Sequence, residues 1–161
     1  MRKIAVLLLT LPILAGCAST PAVTAADLWV KSGEMSTQGG MTAVYGTLTN
    51  NSSQDVVLVG GQTEIAGVVE VHEMAMVDGE MVMQPIDGGL VIPAGQSVVL
   101  EPGGNHLMLM MLTSDLVAGQ EISVTFDFDG ADDLTVGGIV AKPAEGGDEE
   151  YHSGEDHNMD N

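Results

Sequence analysis

The sequence predicts an all-β domain, either a sandwich or a barrel, and three observations support this prediction. Short runs of alternating or β-branched residues recur at close spacing, separated by Gly, Pro and Asn signals. Beyond the N-terminal segment, no stretch of ten or more residues carries a helical period. The part of the chain with these features is about 115 residues long, an ordinary length for one domain with its own core.

The individual strands are predicted by different signals. Residues 41–49 and 121–128 alternate clearly between two faces, whereas residues 27–35 alternate weakly. Residues 106–112 are a continuous apolar run that begins with a histidine. The sequence Val77-Asp78-Gly79 predicts a tight hairpin between two neighbouring strands. In chain order, the predicted strands cover residues 27–35, 41–49, 55–59, 68–76, 81–86, 90–93, 97–100, 106–112, 121–128 and 134–141.

The N-terminal residues predict export and a lipid anchor. Residues 1–16 have a basic start and then an apolar run, which is typical of a secretory signal and too short to span a membrane. The sequence Leu14-Ala15-Gly16-Cys17 resembles the lipobox of bacterial lipoproteins, where the signal is removed and the cysteine sulfur is lipidated. Residues 17–26 are small, polar and proline-marked, so they predict a flexible tether from a lipidated Cys17. The alternative is an ordinary signal cleaved nearby, with Cys17 left as a free thiol.

Cysteine content and charge exclude several classes of protein. Cys17 is the single cysteine of the chain, so a disulfide framework, a C-x-x-C redox pair and a thiolate metal cluster are excluded. Without the signal, two lysines and 23 acidic residues give a formal charge of 2 − 23 = −21. This charge argues against nucleic acid as a partner and against electrostatic docking on anionic lipids.

The C-terminal residues 144–161 differ in composition from the predicted domain, residues 27–143. They contain seven acidic residues and no basic residue, together with His152, His157 and Met159. Such a composition cannot build a packed core, so it predicts a disordered tail. The tail could bind metal weakly, or it could be only a solvated run of charge.

A segment rich in histidine and methionine, residues 71–112, predicts a metal site. It contains both histidines of the predicted domain and seven of the eleven methionines. Imidazole and thioether groups without a thiolate suit copper, and thioethers favour Cu(I) in particular. The spacing H-x10-M-x22-H-x-M selects four candidate ligands, which are His72, Met83, His106 and Met108.

The surplus methionines of this segment have two possible roles. Methionine fills irregular gaps in apolar cores, and this is the role predicted for Met110 and Met111 inside the apolar run. Metal binding is favoured for the candidate ligands, because aromatic core formers are scarce and because an H-x-M pair on a strand points to one face. Three further methionines are auxiliary candidates that could compete with Met83: Met74, Met76 and Met81.

The chain resembles the periplasmic copper chaperone family PCu(A)C, formerly DUF461. The resemblance rests on the run PAGQSVVLEPGGNHLMLMML, on VHEMAMVDGEMVM before it and on YGTLTNNSSQD upstream, and it covers nearly all of residues 28–140. It implies a cupredoxin-like Greek-key β-sandwich that binds one Cu(I) through two histidines and two methionines. By position, these ligands are His72, Met83, His106 and Met108. Asn105 departs from the family pattern, which often has an aromatic residue before the second histidine.

The resemblance implies an extracytoplasmic Cu(I) metallochaperone, in the periplasm or at the cell surface. Together with the lipobox at Cys17, it predicts a protein that is anchored to the membrane by lipid, and we expect this protein to be a monomer. Its expected partner is a copper-accepting protein, and the resemblance implies delivery toward the binuclear copper centre of cytochrome c oxidase. No enzyme activity is expected. A copper oxidase or an electron-transfer cupredoxin needs a thiolate in a His2Cys site, and Cys17 is assigned to the anchor. Hydrolysis is not supported either, because the sequence shows no nucleophile with a base. Two alternatives stay open: a copper-buffering or resistance lipoprotein at the cell surface, and a metal-free β-sandwich lipoprotein that docks a protein partner.

Overall fold

The computed structural model describes residues 20–143, and all regular secondary structure in that range is β-strand. The predicted anchor at Cys17 and the predicted tail, residues 144–161, lie outside the described residues. No helix in the described range is long and apolar enough to cross a membrane. The strands are β1 (Val23–Ser32), β2 (Met41–Asn50), β3 (Val56–Gln62), β4 (Ala66–Val77), β5 (Glu80–Pro85), β6 (Leu90–Ile92), β7 (Ser97–Leu100), β8 (His106–Leu112), β9 (Glu121–Asp129) and β10 (Leu134–Pro143).

The strands form one hydrogen-bonded path in the order β5-β4-β8-β2-β1-β10-β9-β3-β6. β7 pairs with the C-terminal part of β2, and β8 pairs with its N-terminal part. β1 and β10 pair in parallel and join the two halves of the path. Strands that lie side by side, such as β2 and β8, are often distant in the sequence, which is the connectivity of a Greek-key β-sandwich. The predicted all-β sandwich is therefore confirmed.

The main hydrophobic core lies between the two halves of this path. Gly61 of β3 allows the halves to approach closely, because a Cβ at this position would lie 3.2 Å from the side chain of Val69 on β4. The side chains that fill the core are almost completely buried, and they include Leu58, Val71, Leu107, Leu109 and Phe126.

A second, smaller cluster lies on the other face of β2 and β8. Met108 belongs to it, whereas its neighbours Leu107 and Leu109 belong to the main core, since successive side chains of a strand point to opposite faces. This cluster contains the buried residues Ala43, Tyr45 and Met108, with Trp29, Met41, Met83 and Met110 packed around them. The two clusters give β8 one face that holds the fold and one face that holds candidate ligands.

The domain begins earlier than the sequence predicts. β1 starts at Val23, which is buried and pairs with Asn50 of β2. Residues 23–26 therefore belong to the sheet, and the predicted tether, residues 17–26, is wrong for this part. These residues carry a weak strand pattern of their own, so pairing with the strongly alternating β2 holds them in place.

Met111 was predicted to be core, and that prediction is wrong. Its side chain is 63% exposed. The backbone at Met111 has a left-handed φ of 56°, which interrupts the alternation of β8, and Leu112 takes the buried position instead. Met110 is half-buried against the second cluster. All ten predicted strands are present, with ends that differ by up to four residues.

Candidate metal centre

Three adjacent strands, β5, β4 and β8, bring the four predicted ligands onto one face of the sheet. His72 of β4 lies directly opposite His106 of β8. Met83 of β5 lies opposite Met74, which follows His72 by two residues and therefore shares its face. Met108 follows His106 by two residues on β8. Strand register thus gathers side chains that are far apart in the sequence.

His106 is held by the turn that precedes its strand. Its Nδ1–H donates a hydrogen bond of 3.0 Å to the carbonyl oxygen of Gly104. In a neutral imidazole, this leaves the lone pair on Nε2. Nε2 lies 3.1 Å from Sδ of Met83. Two atoms with lone pairs are therefore close together with no proton between them, and a soft cation can bind both.

His72 is oriented by an acid on its own strand. Its Nε2–H donates to Oε2 of Glu70 at 3.0 Å, so the lone pair is on Nδ1. Nδ1 is buried and, within residues 20–143, has no hydrogen-bond partner. A buried polar atom without a partner costs about 1–3 kcal/mol, and a metal ion bound at Nδ1 would remove that cost. The rings of His72 and His106 have their centroids 5.8 Å apart.

Met108 and two aromatic side chains form the wall of the candidate site. Met108 is 1% exposed and packs against Ala43 and Tyr45 of β2. The Tyr45 ring lies 6.2 Å from the ring of His106 and 4.7 Å from that of Trp29, between centroids. His72 and His106 are also buried, at 8% and 3% exposure. The site is therefore shielded from water on the side of β2, and the half-buried Met83 of β5, the last strand of the path, borders its other side.

The surplus methionines extend away from this site along the β4–β5 hairpin. Met74 lies opposite Met83, and Met76 lies opposite Met81. Met76 and Met81 are 65% and 51% exposed. Of the hairpin methionines, Met83 is the one for which the described structure gives a contact with a predicted histidine ligand.

Sequence reasoning assigned no role to four residues that surround the predicted ligands: Trp29, Tyr45, Glu70 and Gly104. The sequence could have predicted a contact between Glu70 and His72, because Glu70 lies two residues before His72 on the same predicted face. No local sequence pattern predicts the positions of Trp29 and Tyr45. They lie next to the site because β1 pairs with β2 and β2 pairs with β8.

The donor set decides which ions the site can hold. Within the described range, no three His, Cys, Asp or Glu side chains form a group suited to a metal ion. Hard cations such as Ca²⁺ and Mg²⁺ need several oxygen ligands and do not fit these side chains. Two neutral imidazole nitrogens with thioether sulfurs match a soft ion, and Cu(I) best among the common metals.

Comparison with known proteins defines the class of this domain. The apo PCuAC domain of PmoF1 is 17% identical, with a TM-score of 0.61 over 78% of this chain and 98% of that domain, which shows a common fold. The solution structure of CuI-DR1885 from Deinococcus radiodurans is 28% identical, with a TM-score of 0.53 over 80% of this chain and 83% of that protein. The chain therefore has the cupredoxin-like β fold of PCuAC domains, and the resemblance to that family is confirmed.

The family follows from sequence comparison. A family model described as "Putative lipoprotein LpqE-like" matches residues 23–140. "Putative lipoprotein Lxx21020" of Leifsonia xyli subsp. xyli is 36% identical over 129 residues, which cover 80% of this chain and 75% of that protein. The chain belongs to the LpqE-like lipoprotein family.

Proposed function

We propose that this protein is an extracytoplasmic Cu(I) metallochaperone whose cargo is bound by His72, Met83, His106 and Met108. The observation that carries the proposal is the 3.1 Å approach of His106 Nε2 to Met83 Sδ. The His72 ring lies 5.8 Å away from the His106 ring between centroids, and its buried Nδ1 has no hydrogen-bond partner within residues 20–143. The similarity to a protein solved with Cu(I) supports the same ion. Neutral ligands hold Cu(I) without adding charge, and an acceptor can displace them one at a time.

The proposed role is transfer of copper, not catalysis. A catalytic or electron-transfer copper site of the His2Cys type needs a thiolate, and Cys17, the single cysteine of the chain, is assigned to the lipid anchor. We also propose that the acceptor belongs to the assembly of cytochrome c oxidase, at its binuclear copper centre. Transfer of Cu(I) from the loaded protein to the isolated soluble domain of that centre tests this step. If copper stays on the donor, this acceptor is wrong, whether or not the ligand assignment holds.

Competition for Cu(I) against a chromophoric chelator tests the binding site. The wild type is expected to bind one Cu(I) tightly, and His106→Ala is expected to lose this tight binding, because the substitution removes the Nε2 atom that lies 3.1 Å from Met83 Sδ. Unchanged tight binding in His106→Ala would contradict the ligand assignment. No stoichiometric copper in the wild type would favour a protein-docking role instead.

A matched pair of substitutions tests the assignment of Met83 as a ligand. Met83 and Met74 are directly opposite each other on neighbouring strands, and both are half-buried. Met83→Leu removes the sulfur that contacts His106, so it is expected to weaken Cu(I) binding strongly. Met74→Leu keeps that sulfur and is expected to have a much smaller effect. If Met74→Leu weakens Cu(I) binding strongly and Met83→Leu has a much smaller effect, Met74 is the ligand instead.

A further inference from the structure

The outer end of the β4–β5 hairpin carries a pair of methionines that the fold does not need. Met76 of β4 and Met81 of β5 are direct cross-strand partners, and both are largely exposed, at 65% and 51%. Methionine is useful in a core because it fills gaps, but these two side chains face solvent. Because they contribute little to the core, their polarizable thioether groups are exposed at the hairpin end, where they can contact a ligand.

The pair has the geometry of a two-sulfur site for a soft cation. Directly opposite residues on antiparallel strands have Cβ atoms about 4.5–5.5 Å apart. A thioether side chain has three rotatable bonds beyond Cα, so both sulfurs can turn toward one ion. The turn between the strands is tight, with left-handed φ values of 52° at Asp78 and 92° at Gly79, and it fixes which residues are paired.

The pair also lies in line with the candidate metal centre. Met76 and Met81 form one rung of the hairpin, and Met74 and Met83 form the next rung on the same face. Successive rungs are about 7 Å apart, because a strand advances about 3.4 Å per residue. Met83 already contacts His106. A continuous row of thioethers therefore leads from the exposed tip to the buried histidines.

Charge around the tip favours a cation. Asp78 and Glu80 flank the outer rung, and both are exposed. The lysines of residues 20–143 are Lys31 and Lys142, which are paired with each other on β1 and β10 and not on the hairpin. A soft cation that approaches the tip therefore meets negative charge and sulfur together.

We infer that Met76 and Met81 form a second, weaker Cu(I) site at which copper enters and leaves the protein. This inference rests on the proposed function, because it describes how cargo reaches the proposed ligands. Copper moves from rung to rung by ligand exchange: a new Cu–S bond forms before an old one breaks. The ion stays Cu(I) throughout, and no electron or proton is transferred.

Methyl NMR of the full chain without its predicted signal, with methionine labelled at the ε-carbon and with Cys17→Ser to prevent lipidation, tests this inference. Anaerobic titration with Cu(I) is expected to shift the Met83 and Met108 methyls during the first equivalent and the Met76 and Met81 methyls during the second. Met111 is the internal control, because it is 63% exposed and lies on β8, away from the tip. If the Met76 and Met81 methyls do not shift, or shift no more than that of Met111, the second site does not exist.

Two variants separate this inference from the proposed function. In His106→Ala, the tip sulfurs are intact, so the Met76 and Met81 methyls are expected to shift with the first equivalent of Cu(I). In the double variant Met76→Leu/Met81→Leu, the first equivalent is expected to bind with unchanged affinity, the second is lost, and transfer to a Cu(I) chelator slows severalfold. Unchanged transfer kinetics in the double variant would overturn the entry and exit role. If the Met76 and Met81 methyl resonances shift only when an acceptor protein is added and never with Cu(I), the end of the hairpin is a docking surface instead.

Discussion

At the scale of single residues, the two histidines use opposite ring nitrogens. His106 donates from Nδ1 to a backbone carbonyl and presents Nε2, whereas His72 donates from Nε2 to Glu70 and presents Nδ1. The backbone partner of His106 cannot be removed by substitution, but the partner of His72 can. Glu70 therefore is the side chain through which the orientation of a proposed ligand can be tested.

Replacement of Glu70 by alanine is expected to lower Cu(I) affinity by about 10–100-fold, the range typical for loss of a hydrogen-bond partner behind a metal-binding histidine. The imidazole of His72 then loses its fixed tautomer. Chelator competition measures the affinity, and long-range ¹⁵N NMR of the metal-free protein measures the tautomer. Glu70→Gln is the matched control, since its amide oxygen can still accept from Nε2–H, and it is expected to retain most of the affinity. Equal losses in both variants would instead indicate that the carboxylate charge matters.

At the scale of one strand, the two faces of β8 have different roles: one face packs in the main core, and the other carries proposed metal ligands. Leu107 points into the main core and is completely buried, while Met108 points into the candidate metal centre. Leu107→Ala is expected to cost about 2–5 kcal/mol of the free energy of unfolding, because it opens a cavity in the core. Urea denaturation measures this loss, and Cu(I) affinity below the unfolding range is expected to change little.

Met108→Leu is the complementary change on the same strand. It conserves volume, so it is expected to cost less than about 1.5 kcal/mol, yet it removes a proposed sulfur ligand and is expected to weaken Cu(I) binding strongly. The same denaturation and competition measurements apply to both variants. Loss of copper binding with Leu107→Ala and retention with Met108→Leu would reverse the assignment of the two faces.

Sequence patterns predicted the strands well and their partners only in part. Alternation is local, so it located β2, β4 and β9 closely, and the Asp-Gly signal located the hairpin that sets Met83 opposite Met74. The pairing of His72 with His106 depends on how β4 and β8 meet, which no local pattern specifies. Met111 was misplaced because a left-handed backbone conformation interrupts the alternation, and a β-strand pattern gives no warning of that at a methionine.

At the scale of the whole molecule, the described domain is poor in positive charge and contains the candidate metal centre. The two lysines of residues 20–143 pair across β1 and β10, far in the sheet order from β5. The formal charge of the whole sequence is −19, and a negative charge of this size attracts cations and basic protein surfaces over long range. Transfer to a basic acceptor is therefore expected to slow as salt is added, which stopped-flow measurements over a range of ionic strength can check. A rate that does not depend on salt would argue against electrostatic steering.

Cys17 is the residue on which the proposed lipid anchor depends. The family to which the chain belongs is described as a lipoprotein family, which supports lipidation. Cys17→Ser removes the sulfur that would carry the lipid, so the wild type is expected to partition into the detergent phase of a Triton X-114 extract and the variant into the aqueous phase. Cu(I) affinity is expected to be equal in both proteins, because Cys17 is not among the proposed ligands. Wild-type protein in the aqueous phase would exclude the anchor, and weaker copper binding in Cys17→Ser would add a thiol to the ligand set.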